Sequence, residues 1–279
     1  MYLIEVLQNL SLPAMLIAVL AMSAFVAWLV LGATRLAVPL AGFDPALPLP
    51  IKDTMIGATS AMFALTLGFS AVGIWNDTVQ ARAAVQREAN ALQNVLALAN
   101  GLPAELKRET RDSVMLYVTR VIEIEWPAMA RQVDSDDAVF SQADRVLVHL
   151  IDHLSAVTAQ GNVPTALAAM LGQLFEARSA RLARLALSDG GVTAAQWLAL
   201  ILLALCAFIA VAVVHNHHLG IQILSMNLYG LAAAAAFFVI LAHDRPFIGA
   251  ISVQPTPLEA LSSRATAELP PALAGAGRQ

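Results

Sequence analysis

Three of the six histidines, His215, His217 and His218, sit within four residues of one another. Imidazoles at that spacing can ligate a transition metal, but such sites draw further ligands from a second segment, and none is evident. "HNHH" therefore reads as a polar turn between two apolar stretches, and no metal or other cofactor is expected. Asp134, Asp136 and Asp137 could attract a cation; as a run ahead of an apolar stripe they read instead as a solvated helix cap. Glu123 and Glu125 stand two apart, so on a helix they point in different directions and make a poor acid–base pair. The chain contains no Gly-rich phosphate loop, CxxC, HExxH or GxSxG, and an enzyme is not expected.

Other polar residues need a different reason. Arg178, Arg181 and Arg184 form a basic stripe along one helix face. That stripe suits anionic lipid head groups and membrane topology, or attraction of anions to a pore mouth. Gln222, Ser225 and Asn227 fall inside an apolar stretch, where such groups bond across helices or line a water path. The segment Thr54 to Asn76, "TMIGATSAMFALTLGFSAVGIWN", has no Asp, Glu, Lys or Arg and is long enough to cross a bilayer, for which about 20 residues suffice. Gly57, Ala61, Ala64, Gly68 and Ala71 make a small-residue seam through which a neighbouring backbone can approach closely. Thr59, Phe63, Thr66, Ser70 and Gly73 make a second face of hydroxyl and aromatic character. Phe63 or Phe69 could form an apolar constriction that gates a pore by dewetting.

The elements that must position these residues follow from hydropathy and charge. The chain is 58% hydrophobic and 13% charged, with mean hydropathy +0.69, against about 25% charged in a typical soluble domain. Charge-free gaps separate Glu5 from Arg35, Asp53 from Asp77, and Asp189 from Asp244. They accommodate four spans at roughly 11–33, 55–75, 193–214 and 219–242. The first lacks the basic n-region of a signal peptide and its apolar run outlasts one. Trp75 and Trp197 lie near span ends and are expected to act as interfacial anchors. Of the 16 Lys and Arg residues only Arg35 and Lys52 fall in the loops on one side. By the positive-inside bias both termini and residues 76–192 are expected to be cytoplasmic. The single Cys206 permits no internal disulfide.

The insert at 76–192 is helical in pattern, with no competing strand signal. Four helices are expected, at roughly 77–100, 104–126, 136–160 and 164–187, the first continuing from span two without Pro or Gly. "GLP" at 101–103, "DSDD" at 134–137, Gly161 and "DGG" at 189–191 punctuate them, and Pro127 ends the second. The Pro-rich loop "AVPLAGFDPALPLPIKD" (37–53) and the tail from 251 to 279 are expected to be irregular, the last dozen residues disordered. The fold class is thus an all-α integral membrane protein with four transmembrane helices and a helical cytoplasmic insert between the second and third.

Three blocks, "LGFSAVGIWNDTVQARAAVQREANALQNVL" (67–96), "LYVTRVIEIEWPAM" (116–129) and "HDRPFIGAISVQPTPLEAL" (243–261), resemble in order and spacing the signature blocks of the bacterial bestrophin-like family. The matching residues are Trp75, Glu88, Ala89, Tyr117, Glu125, Trp126, Pro127, Asp244, Arg245, Pro246, Phe247 and Gly249. The resemblance implies a four-span membrane protein and, by analogy to bestrophins, a homo-oligomeric, pentameric anion channel whose second span lines the neck. No match to the acidic calcium clasp of animal bestrophins is present. Glu88 and Glu125 are expected to pair with Arg side chains or bond across the insert, and Asp244 and Arg245 to pair with insert residues. Pro246 should end span four, and "ISVQPTPLEA" should form an extended strap. The expected activity is ion conduction, anion rather than cation, through an oligomer whose partners are membrane lipid, small inorganic ions and further copies of itself, not nucleic acid. The alternative is a non-conducting membrane scaffold or sensor that binds a cytoplasmic partner through the insert.

Overall fold

The computed structural model describes residues 6–8, 10–44, 54–131, 133, 138–159, 165–249 and 251–267. Its helices are α1 (Leu12–Leu40), α2 (Thr54–Ala99), α3 (Ala104–Arg120), α4 (Trp126–Ala130), α5 (Ser141–Ala159), α6 (Thr165–Ser188), α7 (Ala194–Val214), α8 (Leu219–His243) and α9 (Thr256–Ala267), with a π-turn over Val121–Glu125 joining α3 to α4. Four of them, α1, α2, α7 and α8, are long and apolar enough to cross a membrane. Lys52, the "DSDD" cap with Asp134, Asp136 and Asp137, Gly161 and the last dozen residues lie outside the described residues.

The chain divides into two compact units, and the boundary falls inside α2, between Asn76 and Asp77. The first unit holds α1, the apolar half of α2, α7 and α8. Helix α7 starts at a capping box: Thr193 Oγ1 accepts from the Gln196 amide at 3.3 Å and Gln196 Oε1 accepts from the Thr193 amide at 2.8 Å, satisfying two otherwise orphaned donors. The turn expected at His215–His218 separates α7 from α8, and His215 Nδ1 lies 3.0 Å from the Val211 carbonyl. Within α8, Gln222 is fully buried and bonds across helices, its Nε2 donating to the Ala212 carbonyl at 2.6 Å. Asn227 instead donates to Ile223 O on its own helix at 2.7 Å.

Helix α1 corrects one expectation. It does not stop near residue 33 but runs through Arg35 to Leu40, about 42 Å at ~1.5 Å per residue, against a hydrocarbon core of about 30 Å. Arg35 is kept in the helix by donating from Nε to Gln222 Oε1 at 2.8 Å. Trp197 is a second correction. It is 5% exposed and stacks on Phe237 at 6.3 Å and 15°, so it belongs to the core, while Trp28 and Trp75 are exposed.

The second unit holds the rest of α2 and α3 to α6, with Pro246–Ile248 and the chain from Ser252 onward. Its core is built by Leu92 and Val95 of α2, Tyr117 and Val118 of α3, Leu147 and Leu154 of α5, Met170 and Leu174 of α6, and Leu258 and Leu261 of α9. The stripes read from the sequence as amphipathic thus meet each other. The second insert helix does not end at Pro127. Trp126 donates its backbone N–H to Val121 O, five residues back. This wider turn relieves the clash a proline makes with the carbonyl four residues before it, and Pro127 then sits in the first turn of α4, where no N–H is needed. The tail is likewise not an extended strap throughout. From Thr256 it forms α9, with Pro257 in the first turn and Leu258 and Leu261 buried.

Candidate functional site

The apolar half of α2 is the least covered of the four membrane-length helices. Of its apolar window 11% is buried, against 28–39% for α1, α7 and α8. The structure divides the residues singled out on it. Phe63 is 7% exposed and packs on Phe237, with ring centroids 5.9 Å apart; Ser70 is also buried and Thr59 and Thr66 are half-buried. Each hydroxyl is satisfied by its own helix: Thr59 Oγ1 donates to Met55 O (2.8 Å), Thr66 Oγ1 to Met62 O (2.9 Å) and Ser70 Oγ to Thr66 O (3.0 Å). Such back-bonding lets hydroxyls sit in an apolar setting without a partner elsewhere. This face therefore turns toward the interior of the first unit.

The opposite face is open. Gly57, Ala61, Ala64 and Gly68 are exposed and Ala71 is half-buried; Gly73, expected on the hydroxyl face, is exposed with them. A Cβ added at Gly57, Gly68 or Gly73 would meet nothing within 4 Å. Between these small residues stand Met62, Leu65, Phe69 and Val72, exposed by 59%, 56%, 70% and 69%. An apolar, uncharged arc with narrow steps and bulky side chains is thus presented to something other than the chain's own helices.

Below Asn76 the same helix carries a different centre. Glu88 of α2, Tyr117 of α3 and Glu125 of the π-turn are fully buried, with Arg181 and Arg184 of α6 beside them. Arg184 donates from Nε to Glu88 Oε2 (2.8 Å) and from Nη2 to Glu88 Oε1 (3.1 Å) and Glu125 Oε2 (2.9 Å). Tyr117 Oη donates to Glu88 Oε1 at 2.6 Å. Arg181 donates from Nε to Glu125 Oε1 at 3.0 Å, and its Nη2 bonds both Glu125 and the Phe140 carbonyl. Asp144 of α5 accepts from Arg181 Nη1 (3.2 Å) and from Arg178 Nε and Nη2 (3.1 Å each). The Arg184 guanidinium also lies 5.3 Å from the Trp126 ring centroid, and Trp126 meets Phe247 edge-on at 5.6 Å. Burial, then the Glu88 charge, holds the Tyr117 phenol well above its ordinary range. Burial pulls the Arg184 guanidinium down, but Glu88 and Glu125 outweigh it and keep it charged.

Three arginines and three carboxylates balance in charge, and their hydrogen bonds fill one another. Burying ions is costly unless such geometry repays it, so this centre acts as a structural lock rather than an exposed reactive site. It corrects the reading of the arginine stripe: Arg181 and Arg184 face neither lipid nor a pore mouth, because the carboxylates expected to seek arginines are packed against them. Glu123, by contrast, is exposed. The i, i+3 spacing of the arginines was readable; that the acids of Arg184 lay 96 and 59 residues upstream was not.

Asp244 meets the last residue of the 76–192 segment, Val192. Asp244 stays within the first unit, where Oδ1 accepts from the Val192 amide and Oδ2 from Gln8 Nε2, each at 2.6 Å. Gly191 adopts φ +143°, and an added Cβ would lie 3.4 Å from both the Asp244 carbonyl and its Oδ1. Arg245 Nε is buried with no hydrogen-bond partner among the described residues. Pro246 ends α8 as expected and accepts from the Val253 amide at 2.7 Å. Among the described residues no group of three or more His, Cys, Asp or Glu is placed to hold a metal.

Comparison with known proteins agrees with this architecture. No curated protein matches the chain. A mutant bacterial bestrophin homologue from Klebsiella pneumoniae superposes with TM-score 0.65 at 15% identity, over 92% of this chain and 97% of that one. A second mutant of that homologue gives 0.64 at 14%, over 91% and 99%. A structure described only as a membrane protein gives 0.64 at 15%, over 89% and 96%. The model of the bestrophin-like domain matches residues 49–258, spanning α2 to the start of α9, and the chain belongs to the bestrophin-like family.

Proposed function

We propose that the protein is a homo-oligomeric ion channel of the bacterial inner membrane, pentameric by analogy to bestrophins, with α2 around the pore axis. The observation that carries this reading is the open arc of α2. An uncharged face of glycine, alanine and bulky apolar residues, left open by the described residues, suits close approach of neighbouring copies and an apolar constriction. Phe69, at the most exposed position of that arc, is the gate residue in this reading, and Leu65 and Val72 flank it. Phe63, placed in the core, supports the helix from behind.

Anions rather than cations are the proposed cargo. Beyond Asn76 the charged residues of α2 are Asp77, which is half-buried, Arg82, Arg87 and Glu88. The two arginines are exposed, while Glu88 is neutralised by Arg184. A positive lining raises the local anion concentration. Both termini and the insert are placed in the cytoplasm, on the positive-inside argument.

The test is chloride flux into liposomes carrying the purified oligomer, with Phe69→Ala and Phe63→Ala beside the wild type. Chloride flux that rises or leaks in Phe69→Ala, with Phe63→Ala altering mainly stability, supports the reading. Absence of flux from folded, oligomeric wild type and from both variants refutes it and favours a non-conducting scaffold.

A further inference from the structure

The first unit contains an apolar slot of about 330 Å³ between α1, α7 and α8. Its lining includes the small residues Ser23, Ala204 and Ala233 and the aromatic residues Trp197, Phe208 and Phe237. From Trp197 to Phe208 along α7 the slot extends about 16 Å, at ~1.5 Å of rise per residue. Its one hydroxyl is already used, since Ser23 Oγ donates to the Gly230 carbonyl at 2.7 Å. Water entering the slot would find no adequate set of polar partners, and water is retained only where it makes two or more hydrogen bonds. An empty space of this size forfeits dispersion contacts along all its walls. Hydrocarbon is the filling chemistry that satisfies both conditions.

The surroundings supply it. All three helices are of membrane length, and the rim residues Met22, Ile201 and Leu205 are exposed by 42%, 51% and 37%. The slot thus opens sideways, through apolar side chains, toward the acyl phase of the bilayer. We propose that it is a binding site for one phospholipid acyl chain, which inserts between α1, α7 and α8 and lies against Trp197. The site does not depend on whether the protein conducts ions. It makes lipid part of the packing of the first unit rather than its solvent alone.

Tryptophan fluorescence tests this directly. Trp197 is shielded from annular lipid by its own helices, being 5% exposed, whereas Trp28 and Trp75 are lipid-accessible and are replaced by Phe. The Trp28→Phe/Trp75→Phe chain is reconstituted in phosphatidylcholine vesicles whose acyl chains are brominated, and in unbrominated vesicles. The Trp197 component is obtained by subtracting the same chain carrying Trp197→Phe. The proposal expects that component to lose most of its intensity in brominated vesicles, and Ala204→Leu, which fills the slot, to restore it. Equal Trp197 emission in the two vesicles overturns the proposal, whatever the fate of the filled variant. Quenching unchanged by a folded Ala204→Leu overturns it as well. Loss of the oligomer in Ala204→Leu, together with unquenched wild type, would assign the slot to a second copy of the chain instead.

Discussion

Arg184 and Glu88 meet through two hydrogen bonds of 2.8 and 3.1 Å with neither side chain exposed to solvent. The two residues lie 96 positions apart, on α6 and α2; Nη2 of the same guanidinium also reaches Glu125, and Nη1 donates to Met129 Sδ at 3.4 Å. This relationship ties the first helix of the insert to its last. It also explains why Glu88, whose neighbours Ala89, Ala91 and Leu92 are buried and apolar, is not replaced there by another apolar residue: it answers a buried arginine.

The first expectation concerns that lock. Removing one member of a buried pair leaves an uncompensated charge and costs about 3–5 kcal/mol. Arg184→Ala should therefore lower the apparent Tm of the purified protein sharply. Arg184→Lys should recover little, since an ammonium cannot reproduce a planar fork that serves two carboxylates. A lysine variant that melts with the wild type would show that charge alone, not fork geometry, holds the helices.

Asp144 gives a pH dependence. The hydrogen bonds from Arg178 hold its carboxyl below the usual carboxylate range, against the opposing effect of burial, and Arg181 adds to them. A depressed folded pKa contributes stability that is present above the unfolded value, about 3.9, and is lost as pH falls through the folded one. Arg178 is 41% exposed and Asp144 26%, so solvent screening keeps the contribution near 1 kcal/mol or less. The difference in unfolding midpoint between wild type and Asp144→Asn should be constant from neutral pH down to about 5 and shrink below about 4. A difference that grows on acidification would place the stabilising charge elsewhere.

Asp244 closes the first unit by holding the Val192 amide and Gln8, while Gln8 Oε1 remains buried and without a hydrogen-bond partner among the described residues. Asp244→Ala strands two donors and should cost about 2–4 kcal/mol, at roughly 1–2 for each unsatisfied group. Asp244→Asn should cost less than half of that. Its oxygen still accepts from Val192, and its NH₂ meets the Gln8 carboxamide once that group flips to present the spare Oε1. Thermal melts of the two variants followed by intrinsic fluorescence compare them, and equal losses would mean that the carboxylate charge, not its acceptor geometry, is what this corner requires.

Much of the fold was legible because membrane spans and long helices declare themselves locally. Charge-free gaps located the four spans, and the absence of Pro and Gly after Trp75 announced that α2 continues to Ala99. Features set by distant partners were not legible. Arg35 looked like the end of a span because its acceptor, Gln222, lies 187 residues away. The π-turn before Pro127 has no signature in "EIEWP", and the helix at Thr256 was hidden by Pro255, just ahead of it, and Pro257, which its first turn tolerates. On α2 the periodicities of both faces were visible, but which of them turns inward depends on Phe237, which only the packed unit brings to Phe63.

That last point yields the most discriminating expectation for α2. With Cys206 replaced by Ser, single cysteines at positions 61, 65, 69 and 72 occupy the open arc, and those at 63, 70 and 74 the packed face. If the open arc lines an aqueous path, a membrane-impermeant thiol reagent should modify the first set and spare the second. Labelling should also slow when chloride flux is blocked at the constriction. If α2 instead turned its open arc to lipid, the two sets would be equally inert, because a thiol in hydrocarbon stays protonated and unreactive. If the second set reacted and the first did not, the pore would lie on the hydroxyl face, and the packing of Phe63 on Phe237 would have to open in the assembled protein. The three outcomes separate an axial helix from a lipid-facing one and fix which side of it meets water.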